Sequence, residues 1–151
     1  MFISLIFLFP VISQAQGYIN KSKKTVKKGL LEYIEKNQRV ELVLSETDST
    51  LSITIAGTTS LAAEFNYRFD EKGKCSSEKT IANCDSCFQH YLKDALNKNQ
   101  YGWIKINENQ YVSDYKFRLL LELPGKENVY SFMILRTNWS REMYKMILNK
   151  N

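Results

Sequence analysis

Residues 63–69 read Ala-Glu-Phe-Asn-Tyr-Arg-Phe, and this alternation of apolar and polar side chains decides the fold class. In an extended chain, successive side chains point to opposite faces. One face would therefore carry the apolar residues Ala63, Phe65, Tyr67 and Phe69. A strand of this kind is buried on one side and wetter on the other, as in an antiparallel sheet. The turn signal at 70–73, Asp-Glu-Lys-Gly, follows directly.

The pattern extends in both directions along the first half of the chain. Upstream, two alternating segments joined by the polar residues 45–50 predict a hairpin, with apolar positions at Val40, Leu42, Leu44, Leu51, Ile53 and Ile55. The polar stretch 74–82 predicts a short edge strand. An amphipathic helix over 21–37 is indicated by the 3.6-residue period of Val26, Leu30, Tyr33 and Ile34.

The second half has a similar order. A helix over 85–98 is predicted by Phe88, Tyr91, Leu92, Ala95 and Leu96. Strands are predicted from Trp103, over 117–123 and over 130–134, the last two joined by a turn at 124–128. Ser140 is a suitable N-cap for a final helix, with Glu142 in its first turn.

The resulting order is α-βββ-α-βββ-α. We expect one α+β domain over 16–151, with an antiparallel sheet and helices packed on one face. The two similar halves suggest an internal duplication of about 65 residues. Phe65, Leu92 and Phe132 are expected in the core.

Residues 1–15, MFISLIFLFPVISQA, resemble a secretory leader in composition. They are uncharged, apolar from Phe2 to Ile12, and end in a small-x-small cleavage pattern. A retained anchor is the alternative, but spanning a bilayer takes about 20 apolar residues. The sequence therefore predicts a signal peptide over 1–15 and a secreted or periplasmic protein without a transmembrane segment.

The chain of 151 residues carries a net charge of +5. Part of this excess is a cluster just after the leader, formed by Lys21, Lys23, Lys24, Lys27 and Lys28. The cluster is a candidate patch for an anionic partner, and the alternative is a solvated helix face. No aromatic residues are interleaved and no glycine-rich phosphate loop is near, which disfavours nucleic acid.

Three cysteines are present, Cys75, Cys84 and Cys87. In an oxidising compartment we expect one structural bridge, from Cys75 to Cys84 or to Cys87, because a polar 76–83 loop would bring Cys75 back to the helix start. The alternative is a reversible Cys84–Cys87 pair at a helix N-terminus, which is the basis of thiol–disulfide exchange. The preceding segment is polar and irregular in sequence, which argues against that alternative.

Metal and cofactor sites are not predicted. The single histidine, His90, adds a fourth ligand type to the cysteines, but their spacing matches no zinc pattern. Nucleophile-elbow, HExxH and P-loop motifs are absent from the sequence.

Four aromatic residues, Tyr101, Trp103, Tyr111 and Tyr115, lie within a short segment. Exposed together, they would form a stacking surface for a glycan or a protein partner. The alternative is ordinary strand packing.

These observations predict an exported, non-catalytic binding or interaction module whose partner is an unidentified protein or glycan. A thiol–disulfide exchange protein that uses Cys84 and Cys87 is the second hypothesis.

Overall fold

The computed structural model describes residues 17–36, 41–56, 62–124 and 130–149. In this part of the chain three helices and eight strands form. The helices are α1 (Lys23–Lys36), α2 (Asp85–Leu96) and α3 (Arg141–Leu148). The strands are β1 (Leu42–Glu46), β2 (Thr50–Ile55), β3 (Ala63–Phe69), β4 (Cys75–Ala82), β5 (Ile104–Asn107), β6 (Gln110–Val112), β7 (Leu119–Glu122) and β8 (Ser131–Arg136). The predicted leader, the last residue of the helix predicted over 21–37, Val40 and most of the turn predicted at 124–128 lie outside the described residues.

The strands form one antiparallel sheet in the order β1-β2-β3-β4-β8-β7-β6-β5. Each half is a four-stranded meander that follows its own helix, and the two meanders join through β4 and β8. The predicted α+β class with an antiparallel sheet is confirmed. The internal duplication stays a prediction.

Strand β4 is central in this sheet, so the prediction of an edge strand at 74–82 was wrong. It lies between β3 and β8 and pairs with both. Its inward positions are Cys75, Glu78, Thr80 and Ala82, which are all buried. Because a carboxylate and a hydroxyl take two of these inward positions, the segment has no apolar alternation that would mark it as central.

Strand β6 was not predicted as a separate strand. It has three residues, and a short turn separates it from β5. A strand this short gives too few alternating positions for a periodic pattern to be read from sequence.

The larger core lies between the sheet and the first two helices. Val26 and Leu30 of α1, with Cys87, Tyr91 and Ala95 of α2, pack on the inward residues of the sheet. These two helices share one face, as the sequence predicts. Helix α3 packs in a second cluster, where Tyr144 contacts Val112 and Leu120. Leu120 lies between two side chains of the larger core, so α3 is on the opposite face. The prediction that the helices pack on one face therefore holds for α1 and α2 and was wrong for α3.

Helix α3 begins as predicted. The Ser140 hydroxyl accepts a hydrogen bond of 3.2 Å from the backbone N–H of Met143. This satisfies one of the free donors of the first turn.

The segment before α1 is held against the β3–β4 turn. The N–H of Asn20 donates to the carbonyl of Cys75 at 2.9 Å, and the N–H of Cys75 donates to the carbonyl of Lys21 at 2.9 Å. The Arg136 guanidinium joins both parts, because it donates to Asn20 Oδ1 and to Asp70 Oδ2, each at 2.7 Å. These contacts fix the entry to α1.

Candidate functional site

An open groove of about 780 Å³ runs beside the outer side of α1 and is the candidate binding site. Its size lies within the range of about 300–1,000 Å³ that small-molecule sites occupy. Three chain segments form it: the segment before α1, the middle of α1 and the segment after α2. We call it the α1 groove, and its lining is Gly17, Tyr18, Thr25, Lys28, Gly29, Glu32, Lys98, Asn99 and Gln100.

Tyr18 forms part of the groove because α1 has a glycine beside it. A Cβ at Gly29 would lie 2.2 Å from the Tyr18 hydroxyl oxygen, so any other residue at this position would displace the ring. On its other side the Tyr18 ring packs edge-on against Tyr67, with ring centroids 5.6 Å apart. Gly29, which weakens the helix in isolation, is explained by this contact.

A buried carboxyl group lies beneath this segment. Glu78 of β4 is 5% exposed, and its Oε1 accepts the backbone N–H of Tyr18 at 2.8 Å. Burial raises the pKa of Glu78 to about 8, although the N–H groups of Tyr18 and Ile19 and the charge of Lys98 act in the opposite direction. At pH 7 this carboxyl is therefore mostly protonated and uncharged, which suits its place in a core.

Glu78 is paired in register with Tyr67 across β3 and β4. Within the described residues, Glu78 Oε2 and the Tyr67 hydroxyl are both buried and have no hydrogen-bond partner. Burial, followed by the charge of Glu78, raises the pKa of Tyr67 well above its usual value. Neither residue lines the groove, but both contact Tyr18, which does: Glu78 through the backbone N–H and Tyr67 through its ring.

Lys98 brings a positive charge to the groove. Burial lowers its pKa, while Glu78 and Asp94 raise it. With Lys28 and Glu32, the charged lining of the groove carries a net charge of +1 at neutral pH. The amide side chains beside Lys98 add both hydrogen-bond donors and acceptors.

Three of the five lysines of the predicted patch form ion pairs with glutamates. Lys23 and Lys27 both contact Glu46 of β1, at 3.1 and 2.5 Å, and so tie α1 to the β1–β2 hairpin. Lys28 faces Glu32 at 3.8 Å on α1. The two exposed lysines outside these pairs are Lys21 and Lys24.

The four predicted aromatic residues belong to two clusters. Tyr101, Trp103 and Tyr111 pack against the larger core, whereas Tyr115 packs against the smaller one. The indole N–H of Trp103 donates to the carbonyl of Ala95 at 3.0 Å, which ties the chain after α2 to that helix. The structure therefore does not gather the four rings on one surface.

The cysteine pairing differs from the predicted bridge. Cys84 and Cys87 form a disulfide, and Cys75 is buried and free, so the prediction of a bridge from Cys75 was wrong. The reason is strand β4. Its eight residues place Cys75 and Cys84 at opposite ends of a segment roughly 25 Å long, where the sequence suggested a loop that turns back.

The Cys84–Cys87 pair is at the start of α2, two residues after β4 ends. Cys84 is the N-cap, and its sulfur accepts the N–H of Cys87 at 3.1 Å. Cys84 is half-buried, whereas Cys87 is 1% exposed. The sulfur nearer to solvent is therefore that of Cys84.

His90 lies on α2, 3.6 Å from Asp94 Oδ2 on the next turn. In the described part of the chain, no group of three or more His, Cys, Asp or Glu side chains could hold a metal ion.

Glu78 and the α1 groove were not identified from sequence. One signal was present, since Glu78 is two residues before Thr80 and four before Ala82, which places it on their face. The groove has no such signal, because the segment after α2 that completes it is far in sequence from the other two.

No protein-family model, curated protein or solved structure matches this chain. In the ranges that the structure describes, no helix is long and apolar enough to cross a membrane.

Proposed function

We propose that this protein is exported and acts as a non-catalytic binding module, with its ligand in the α1 groove. The observation that carries the proposal is the groove itself, a ligand-sized space between three segments that hydrogen bonds hold in place. Most of its lining is polar or charged, in contrast to the mainly apolar lining of most small-molecule pockets, so the groove suits a polar ligand.

The charge of the groove favours a ligand that carries a carboxylate. Lys28 and Lys98 exceed the single carboxylate of Glu32, and the Asn99 and Gln100 amides line the same wall. A short peptide with a free C-terminus matches these groups, because its carboxylate faces the lysines and its amides pair with the side-chain amides.

A defined panel tests this proposal. Tripeptides and small carboxylic acids are added to the protein, and Tm is measured with and without each compound. A ligand that binds the folded state raises Tm. We expect at least one compound to raise Tm in the native protein and in a Gln89→Trp control on the exposed side of α2, but not in Asn99→Trp, whose indole fills the groove.

Two outcomes would contradict the proposal. One is a panel that leaves the Tm of the native protein unchanged. The other is a hydrolase or transferase activity that survives stringent purification, since that would make the protein an enzyme.

Thiol–disulfide exchange is a second candidate, favoured by the position of the Cys84–Cys87 pair. The preceding segment is polar, which argued against this candidate, but it forms the regular strand β4, which ends two residues before Cys84. The N-terminus of α2 favours a thiolate at Cys84.

The reaction would use both sulfurs. In the reduced protein, the Cys84 thiolate attacks a substrate disulfide, forms a mixed disulfide and releases one substrate thiolate. The Cys87 thiolate then attacks the Cys84 sulfur, which reforms the Cys84–Cys87 bond and releases the second thiol. The substrate gains two electrons and two protons, and the protein is oxidised.

An insulin-reduction assay with dithiothreitol separates the two candidates. Exchange activity should be lost in Cys84→Ser and kept in the matched control Cys75→Ser. An activity equal to that of dithiothreitol alone would reject this candidate.

A further inference from the structure

One row of side chains crosses the whole sheet on the face away from α1 and α2. Each member is in register with the next on the adjacent strand. The row, which we call the polar row, is Ser45, Ser52, Asn66, Lys79, Met133, Glu122, Gln110 and Asn107. None of these eight residues is buried. All except Met133 are polar, so the row is a line of hydrogen-bonding groups that one apolar side chain, between Lys79 and Glu122, interrupts.

Five of the eight residues of this row line a separate cavity of about 640 Å³. Its lining includes Lys79, Met133, Glu122, Gln110 and Asn107, and it also has apolar parts at Leu123 and Pro124. The strand register and the cavity lining thus identify the same group of side chains.

Hydrogen bonds within the row fix two of its amide groups, those of Asn107 and Gln110. Asn107 Nδ2 donates to Gln110 Oε1 at 2.8 Å, and Gln110 Nε2 donates to Glu122 Oε1 at 2.7 Å. Each amide keeps further donor or acceptor capacity. The row therefore presents oriented polar groups to a ligand.

We infer that the polar row binds an extended, uncharged oligosaccharide. Lys79 and Glu122 balance each other, so the row has no net charge to attract nucleic acid or a sulfated glycan. Hydroxyl and amide groups are suited to sugar hydroxyls, and Met133 offers an apolar contact for the C–H face of a ring.

The spacing of the row fits a linear chain of sugars. Adjacent strands are about 4.8 Å apart, which is close to the length of one pyranose unit in a β-1,4-linked chain. A chain laid across the strands would therefore meet one side chain of the row for each sugar. The full row spans roughly 30 Å.

Titration calorimetry with cellohexaose and with N-acetylchitohexaose tests the inference. We expect one of the two to bind, with an affinity that increases from the disaccharide to the hexasaccharide. Gln110→Ala and Asn66→Ala should each weaken binding about tenfold through the lost hydrogen bonds. The matched control Gln89→Ala on α2 should bind as the native protein does.

The inference is overturned if neither hexasaccharide binds, or if Gln110→Ala and Asn66→Ala bind like the native protein. Binding that Asn99→Trp abolishes and Gln110→Ala leaves intact would assign the sugar to the α1 groove, which also overturns it. If a heparin fragment binds at the polar row and displaces the sugar, charge decides binding there, and this result would also contradict the inference. Because different variants report on the two sites, the proposal for the α1 groove is tested separately.

Discussion

The backbone N–H of Tyr18 donates a hydrogen bond of 2.8 Å to Oε1 of Glu78, a residue 60 positions later in the chain. This contact fastens the segment before α1 to the central strand of the sheet. Since Tyr18 lines the α1 groove, the same contact fixes one wall of the candidate site. A buried acid in β4 thus shapes the groove without lining it.

Glu78 should make stability depend on pH. Its folded pKa of about 8 is above the ordinary value of 4.5, so between these values the folded state binds more protons than the unfolded state. The contribution of Glu78 to the free energy of unfolding is fully present below pH 4.5 and is lost as pH rises towards 8. The free energy of unfolding then falls with a slope approaching 1.4 kcal/mol per pH unit. Urea unfolding from pH 5 to 8 should show that Glu78→Gln, which keeps an acceptor for Tyr18, removes this slope.

The matched control for that experiment is Glu108→Gln, at an exposed position in the β5–β6 turn. It should follow the native pH profile. A native profile that is flat from pH 5 to 8, or one that Glu78→Gln leaves unaltered, would show that Glu78 is not held protonated by the fold.

Gly29→Ala should destabilise the protein although alanine is the better helix former by about 1 kcal/mol. The new methyl group would displace the Tyr18 ring from its contact with Tyr67, and we expect a net loss of roughly 1–3 kcal/mol. Gly17→Ala is the control, because no atom within 4 Å would meet its Cβ. Chemical unfolding measures both. A stabilised Gly29→Ala would mean that Tyr18 does not occupy this position.

Alanine substitutions at the three predicted core positions should differ in how much stability they cost. Phe65 and Phe132 are 3% and 1% exposed, so each change to Ala should cost about 3–5 kcal/mol. Leu92 is only half-buried, and Leu92→Ala should cost clearly less. Equal losses at all three positions in urea unfolding would contradict the packing of α2 on the sheet.

Reduction of the Cys84–Cys87 bond should lower stability by about 2 kcal/mol in the entropic model, because the closed loop is short. Adding a reducing agent should therefore destabilise the native protein and Cys75→Ser by the same amount, and should not affect Cys84→Ser. If Cys75→Ser no longer responds to reduction, the bridge involves Cys75 and the pairing described above is wrong.

The sequence was sufficient for the elements whose side chains follow one clear period. Phe65 and Tyr67 in β3 and Val26 and Leu30 in α1 are buried as their spacing predicts. The Ser140 N-cap was also predictable, since its chemistry is local.

Long-range placement was not predictable from these patterns. Glu78 and Thr80 are polar residues on the buried face of β4. This central strand therefore has the amino-acid composition that is expected of an edge strand. Cys75 was expected near Cys84 because the polar residues 76–83 also fitted a loop that turns back, whereas β4 is extended from Cys75 to Ala82. The α1 groove forms where Tyr18, Gly29 and Asn99 come close in the fold. The local spacing of residues in the sequence does not predict this proximity.

The central claim is that the α1 groove binds a ligand. An NMR titration of the ¹⁵N-labelled protein with the tripeptides and small carboxylic acids tests it most directly. The account predicts that the backbone amides of Tyr18, Gly29 and Asn99 shift together and saturate with one compound. Shifts confined to other surfaces, or no shift with any compound, would contradict it.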